Sequence, residues 1–311
     1  MFARLCLRLV AAALTLAAFL PQVAQAASDK TQTFPHAIFW RIDKPGTSSS
    51  WLFGTAHVAD PRVTTLSAPV QKAFDSSDQV YTEIRIDLNM MMDMARAVLR
   101  PEGDLLSAHI DDAHYQKLLP ELNAREYPEV ATRRLYIWAA AMLMMEPKKQ
   151  PGQLPLDLLL AKMSVEGGKN YSGLETIQEQ LSLFQNMPED KQRAMLYSML
   201  DHQDEYAMQT RQIIDAYVAR DLTRIMAVSS QDDPNMSSAD QAWFRTWARK
   251  DVLTDRNVRF AERLQAPLAK GNAFIAVGAM HLPGPQGLVA LLKKAGYTLT
   301  PIYDTAQANA K

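Results

Sequence analysis

Trp51-Leu-Phe-Gly54-Thr-Ala-His57 near the start of the chain and Phe274-Ile-Ala-Val-Gly278-Ala-Met-His281 near its end are two versions of one pattern. Each is an apolar run of strand type, followed by Gly, two small or apolar residues, and His. The glycine lets the backbone bend sharply or approach another group closely. The histidine is thereby delivered just beyond the carboxyl end of a strand, where open α/β sheets place their ligands. A single Gly-x-x-His arises often by chance. Two copies, each closing a β-like run, argue that two imidazoles serve one centre.

Outward from the first copy, Ala37 to Ile42 and Ser50 to Phe53 are β-like runs separated by the turn-forming Lys44 to Ser49, the pattern of a hairpin. Leu66 to Asp78 has helical spacing at Val70 and Phe74, with Ser67 placed to cap it, and Gln79 to Ile86 is again a strand. Strand, helix and strand with short joins make a βαβ unit, which implies parallel pairing. Around the second copy, Asn272 to Val277 is a strongly apolar strand, Gly284 to Ala295 a helix and Tyr297 to Tyr303 a strand, so a second such unit closes the chain. The region between, residues 88–265, is mostly helical in pattern. Within it Pro155 to Glu166 is a helix stopped by Gly167 and Gly168, and Asn170 to Leu174 is a short strand ending at Glu175. Ser229 to Ser238 is the one clear loop in the long helical stretch from Ile177 to Leu264. The expected fold class is α/β: a mixed, largely parallel sheet built from N- and C-terminal βαβ units, with a large helical middle region roofing the site.

Two further strands end in acids, Glu83 after Val80-Tyr81 and Glu175 after Gly173-Leu174. If the four strands are parallel neighbours, two imidazoles and two carboxylates converge. His, His and Glu with an open position is a catalytic metal set, and the same groups without metal serve as general base and acid on a water. Glu175 has a second reading as a charge favoured by a helix N-terminus. The other histidines have plainer readings. His109 and His114, with Asp111 and Asp112, have metal-ligand chemistry, but a solvated helix start explains them better. The clusters Met90, Met91, Met92, Met94 and Met142, Met144, Met145 suit adaptable core filling or a greasy groove wall more than soft copper binding.

At the N-terminus, Arg4 and Arg8 precede an apolar stretch from Leu9 to Leu20, Pro21, and the small-residue triplet Ala24-Gln25-Ala26. This is the order of a cleavable signal peptide, and its apolar stretch falls well short of the roughly 20 residues of a membrane-spanning helix. Residues 1–26 are read as the signal, with cleavage after Ala26, and 27–311 as a single domain that is periplasmic or secreted. The only cysteine, Cys6, lies in the signal, so disulfides, Cys-ligated zinc and Cys nucleophiles are not expected in the mature chain. A net charge of −1 favours neither nucleic acid nor an anionic membrane as partner. No Gly-x-Ser-x-Gly elbow, P-loop, dinucleotide fingerprint or HExxH helix is present.

Five motifs in order, Phe53-Gly54-Thr55-Ala56-His57, Glu83, Gly173-Leu174-Glu175-Thr176 with Glu179-Gln180, Asp255-Arg256-Asn257, and Val277-Gly278-Ala279-Met280-His281, closely resemble the TraB/PrgY/GumN family, which is related to the Tiki-type metalloproteases. The resemblance covers residues 36–303. It implies a metal-dependent hydrolase in which His57 and His281 are metal ligands or catalytic imidazoles and Glu83 a ligand or general base. Arg256 and Asn257, on a helix before the last strand, would steady the site or a substrate oxyanion. Where the family more often has a hydrophobic residue and then Asp after the glutamate, Ile84-Arg85 follows here, and Asp87 stands four residues from Glu83.

The leading expectation is an exported hydrolase cleaving a peptide or amide bond with a divalent metal (Mn, Co or Zn) held by His57, His281 and Glu83, with Glu83 or Glu175 taking a proton from water. Its substrate would be a peptide or other small polymer. Two rivals stand beside it. One is a non-catalytic peptide- or glycan-binding regulatory protein, since family members are linked to pheromone shut-off and polysaccharide gene clusters. The other is a metal-free ester or lactone hydrolase, since the fold resembles erythromycin-esterase-like proteins.

Overall fold

Phe39–Asp43 (β1) and Ser50–Thr55 (β2) form the expected hairpin, antiparallel with Phe39 opposite Phe53, and Gly46 in its turn has a φ of 80° that L side chains rarely adopt. The computed structural model describes residues 36–146, 148 and 154–303. Residues 1–26, read above as a signal, the cleavage expected after Ala26, and Cys6 lie outside these residues.

Gln79–Ile84 (β3), Asn170–Glu175 (β4), Ala273–Gly278 (β5) and Thr298–Pro301 (β6) complete a six-stranded sheet in the order β4-β3-β5-β2-β1-β6. Pairing is parallel from β4 to β2, and antiparallel at β2 with β1 and at β1 with β6. Neither βαβ unit, however, consists of adjacent strands. β5 lies between β2 and β3, and β6 crosses two strands to pair with β1. Burial explains the placement. All six residues of β5, Ala-Phe-Ile-Ala-Val-Gly, are buried, so it takes the centre, where both faces are covered. β6 alternates exposed and buried residues and suits an edge.

The crossover from β2 to β3 uses Ala68–Ser76 (α1), whose Val70, Ala73 and Phe74 pack on the sheet. Ser67 sits at its N-cap, but its hydroxyl makes no capping bond. The middle region supplies Leu88–Ala97 (α2), Asp112–Ala124 (α3), Ile137–Met144 (α4), Leu156–Glu166 (α5), Ile177–Gln185 (α6), Glu189–Asp201 (α7), Gln203–Val218 (α8), Leu222–Ser229 (α9) and Ser238–Trp247 (α10). α10 runs through a π-helical stretch, Ala248–Thr254, into Asp255–Arg263 (α11). Gln265–Lys270 (α12) then leads to β5, and Leu288–Lys294 (α13) to β6. The stretch after β4 is thus more broken than its sequence suggests. Pro188 starts α7, and Arg220, with φ 59°, separates α8 from α9.

One apolar core lies on the sheet and a second among the middle helices, around Trp138, Phe184, Phe244 and Trp247. Met94, Met142 and Met144 belong to the second, which is the core-filling role expected of them. No helix among the described residues is long and apolar enough to cross a membrane.

The glycines of the two motifs explain each other. A Cβ on Gly54 would meet Leu282 Cδ1 at 2.7 Å and the Ala279 Cα at 3.0 Å, so Gly54 admits the turn of the second motif. A Cβ on Gly278 would lie 3.2 Å from both His57 Nε2 and Glu83 Oε1, so Gly278 admits the side chains of the first motif and of β3. Gly54→Ala is therefore expected to destabilise the protein by about 1–3 kcal/mol, as overpacking of a tight core does. An unchanged urea midpoint would contradict this account of the turn.

Candidate active site

β2, β5, β3 and β4 are consecutive parallel strands, so their carboxyl ends bring His57, His281, Glu83 and Glu175 to one edge of the sheet. Glu83 is the hub. Its Oε1 accepts the Gly278 N–H at 2.7 Å and lies 3.8 Å from His57 Nε2 and 3.6 Å from His281 Nε2. Its Oε2 accepts from Arg256 Nη2 at 2.5 Å and from Gln180 Nε2 at 3.4 Å.

Arg256 comes from α11, a strongly charged helix that turns Arg256, Asn257 and Phe260 inward. The guanidinium donates to Glu175 through Nε at 3.0 Å and Nη2 at 2.5 Å, to the Val252 carbonyl of the π-helical stretch at 3.2 Å, and lies 3.2 Å from His281 Nε2 through Nη1. Glu175 is thus an acid of the site, and the helix after it starts with a Thr176–Glu179 capping box instead. Asp87 caps α2 through the Met90 N–H and takes no part. The second carboxylate beside Glu83 is Glu175, held to it by a shared arginine.

Each imidazole is oriented from behind. Asn257 donates its amide to the Gln286 carbonyl at 2.8 Å, which turns its Oδ1 toward His281 Nδ1 at 2.6 Å. An amide oxygen only accepts, so His281 carries its proton on Nδ1 and presents the Nε2 lone pair to the centre. His57 Nδ1 meets Asp157 Oδ2 at 2.5 Å, and Asp157 Oδ1 accepts from Thr55 at 2.9 Å. Both Nε2 atoms therefore face Glu83.

Burial and the Arg256 charge push the His281 pKa down to about 3, against the pull of Glu83, so this imidazole is neutral. Burial also disfavours charge on His57, but Asp157 and Glu83 outweigh it and raise the imidazole above its ordinary value. Burial alone would raise Glu83, yet Arg256, the histidines and the Gly278 N–H hold its carboxyl far below the carboxylate range. For Glu175 burial prevails over Arg256, and its carboxyl is raised. None of His57, Glu83, Glu175, Arg256, Asn257 and His281 is more than 5% exposed.

The TraB/PrgY/gumN family model matches residues 38–301. The chain belongs to the TraB/PrgY/gumN family. It is also 20% identical over 343 aligned positions to a Metalloprotease TIKI homolog of Amphimedon queenslandica, with 94% of this chain and 67% of that relative covered. No solved structure matches. Family and relative together support a hydrolase-like, protease-like role.

Two imidazole nitrogens and a carboxylate oxygen are the donor types of the metal centre that the family resemblance implies, and each imidazole has behind it an acceptor of the kind that orients metal-bound histidines. The spacing is looser than a closed shell. Bonds of about 2.0–2.1 Å put tetrahedral ligand atoms roughly 3.3–3.5 Å apart, and among the described residues no group of three or more His, Cys, Asp or Glu is gathered to hold an ion. The donors fit in kind and orientation, and a cation would draw them in and take the His281 lone pair from Arg256.

The sequence-predicted residues all meet here, and the helical middle does reach the site, through Asp157 of α5, Gln180 of α6 and Arg256 of α11. Asp157 was missed. Its signal is an acid inside Leu156-Asp-Leu-Leu-Leu160, where a fully apolar helix face would need none. Gln180 stood in a quoted motif with no role attached. His109 and His114 lie elsewhere, in separate networks with Asp104 and with Asp111 and Asp201.

Glu179, the other end of the capping box, pairs with Arg263 of α11 at 2.6 and 2.9 Å. Arg263 foremost, with help from the Thr176 N–H, lowers the Glu179 carboxyl from 4.5 to about 2 against the opposing effect of burial. A folded-state pKa below the unfolded one contributes stability above pH ~4.5 that is lost as pH falls through about 2. Glu179→Gln should accordingly lower the urea midpoint at pH 7, with the gap from wild type closing on acidification. A gap independent of pH would remove the ion pair from the account.

Proposed function

We propose that this protein is an exported hydrolase that cleaves a peptide or amide bond, with a divalent metal held by His57, His281 and Glu83. What carries the reading is the pair of Nε2 atoms, each oriented by an acceptor on Nδ1 and facing one carboxylate oxygen. A divalent cation bound there would acidify an attacking water and polarise the scissile carbonyl. Asp157 and Asn257 keep the two imidazoles in the tautomer that presents Nε2. Arg256 Nη1, once His281 Nε2 is engaged elsewhere, is a donor at the centre for a developing oxyanion. Glu175 holds Arg256 in that position through Nε and Nη2. The peptide substrate is supported by the likeness to the metalloprotease relative, and export by the Arg4-to-Ala26 pattern.

A second reading has its own observation. Arg256 already supplies a cation to Glu83, Glu175 and His281, so a metal-free hydrolase, with the Asp157-backed His57 as base, fits the same contacts. Metal content separates the two. Under Mn, Co and Zn, wild-type protein is expected to retain about one equivalent of one of them, and His57→Ala/His281→Ala none. No retention in either protein would leave the metal-free hydrolase, or a binding protein, as the function.

A further inference from the structure

Beside α6, α2 and the start of α4 enclose an open groove of about 770 Å³, lined by none of the residues gathered around Glu83. That is within the ~300–1,000 Å³ of ligand pockets. At its base is Arg100, only 5% exposed. Its backbone is fixed on both sides by Arg134, and its guanidinium lies 4.9 Å over the Tyr136 ring, itself stacked on Trp138. Nη1 is engaged by Asp104 at 3.0 Å and His109 at 2.8 Å. Among the described residues neither Nη2 nor the buried Nε meets an acceptor. A rigid guanidinium with an unsatisfied Nε edge is a receptor for a carboxylate, which accepts two parallel N–H bonds.

The outer wall is polar in a particular way. Gln178 donates to Gln185 Oε1 at 2.9 Å, which leaves a carbonyl oxygen on Gln178 and an amide N–H on Gln185 for a ligand. One acceptor beside one donor is the complement of a peptide unit. The acids at the rim have their own cations, Asp93 with Arg96 at 3.8 Å and Glu189 with Arg193 at 2.6 Å. The groove also starts close to the catalytic edge. Gln178 is three residues beyond Glu175, at most about 11 Å of chain.

We propose that this groove is a binding site for an acidic peptide segment, whose carboxylate pairs with Arg100 and whose backbone runs along Gln178 and Gln185. As a distal subsite for substrate it rests on the peptidase reading above, whereas binding itself does not. The test is fluorescence anisotropy with labelled Gly/Ser decapeptides carrying a central Glu-Glu, Gln-Gln or Lys-Lys pair, measured on the His57→Ala protein so that no peptide is consumed. The Glu-Glu peptide is expected to bind roughly tenfold or more tightly than the Gln-Gln peptide, the scale of one charge-assisted bond. That preference should vanish in Arg100→Gln. Should Arg100→Gln not fold, Gln178→Glu/Gln185→Glu decides, because it puts like charge on exposed positions of the wall and should abolish the preference without touching the base. Equal binding of the three peptides, or a preference that survives in the variants, overturns the proposal. So does Arg100-dependent binding of an oligogalacturonate with no binding of the peptides, which would make this an acidic-glycan site. Hydrolysis is not read, so a chain that cleaves nothing can still pass.

Discussion

Arg256→Met is expected to destabilise the protein by about 3–5 kcal/mol at pH 7, the scale for removing one partner of a buried ion pair. The variant would leave Glu83 and Glu175, with side chains 2% and 0% exposed, facing each other without their common cation. Methionine conserves most of the volume, so the loss would be electrostatic and not a cavity. Its pH dependence identifies the cause. In the wild type Glu83 has a folded pKa held below its unfolded value, so its contribution is present at neutral pH and is lost on acidification. Without Arg256 the buried carboxyls rise, and a raised carboxyl relatively favours the folded state at low pH. The gap between variant and wild type should therefore narrow from pH 7 to pH 4 in urea unfolding. A loss below about 1 kcal/mol at pH 7, with no narrowing, would show that the triad is not what holds this edge of the sheet together.

Glu83→Gln should abolish most activity. Once a cleaved peptide is in hand, its kcat/KM is expected to fall by about 10²- to 10⁴-fold, the range for losing an acid–base or ligating group at the reacting centre. The amide oxygen can still accept the Gly278 N–H, but the amide NH2 then faces the donors Arg256 Nη2 and Gln180 Nε2, so some stability is lost with the activity. What goes is the anionic donor that both Nε2 atoms face. Bound metal should fall with activity if the ion is held here. Activity within tenfold of wild type would take Glu83 out of the chemistry and return the site to Arg256 and the histidines.

Local pattern was enough to read the hairpin, the strand ends and the acids that close β3 and β4. Alternation, apolar runs and turn residues are properties of consecutive positions, so β2 and β5 were recognised as two strands that each deliver a histidine. Helix boundaries were legible where glycine or proline punctuates them, as at Gly167 and Gly168, and less so where Arg220 takes a left-handed conformation without a glycine to announce it. The role of Glu175 was open between strand-end acid and helix-terminal charge. Only the arrival of Arg256, 81 residues later in the chain, decides it.

By itself, then, the sequence determined an α/β chain with two Gly-x-x-His turns, two strand-end acids and an Arg-Asn pair on a helix, and it placed the chain in its family. The tertiary structure decided that β5 threads between β2 and β3, because the most uniformly apolar strand is the one that can be buried on both faces. It also decided that Asp157, an acid in an apolar helix, belongs to His57. Strand partners and the counter-charges of buried groups are fixed by burial and by pairing across about a hundred residues, and nothing in a local window encodes either.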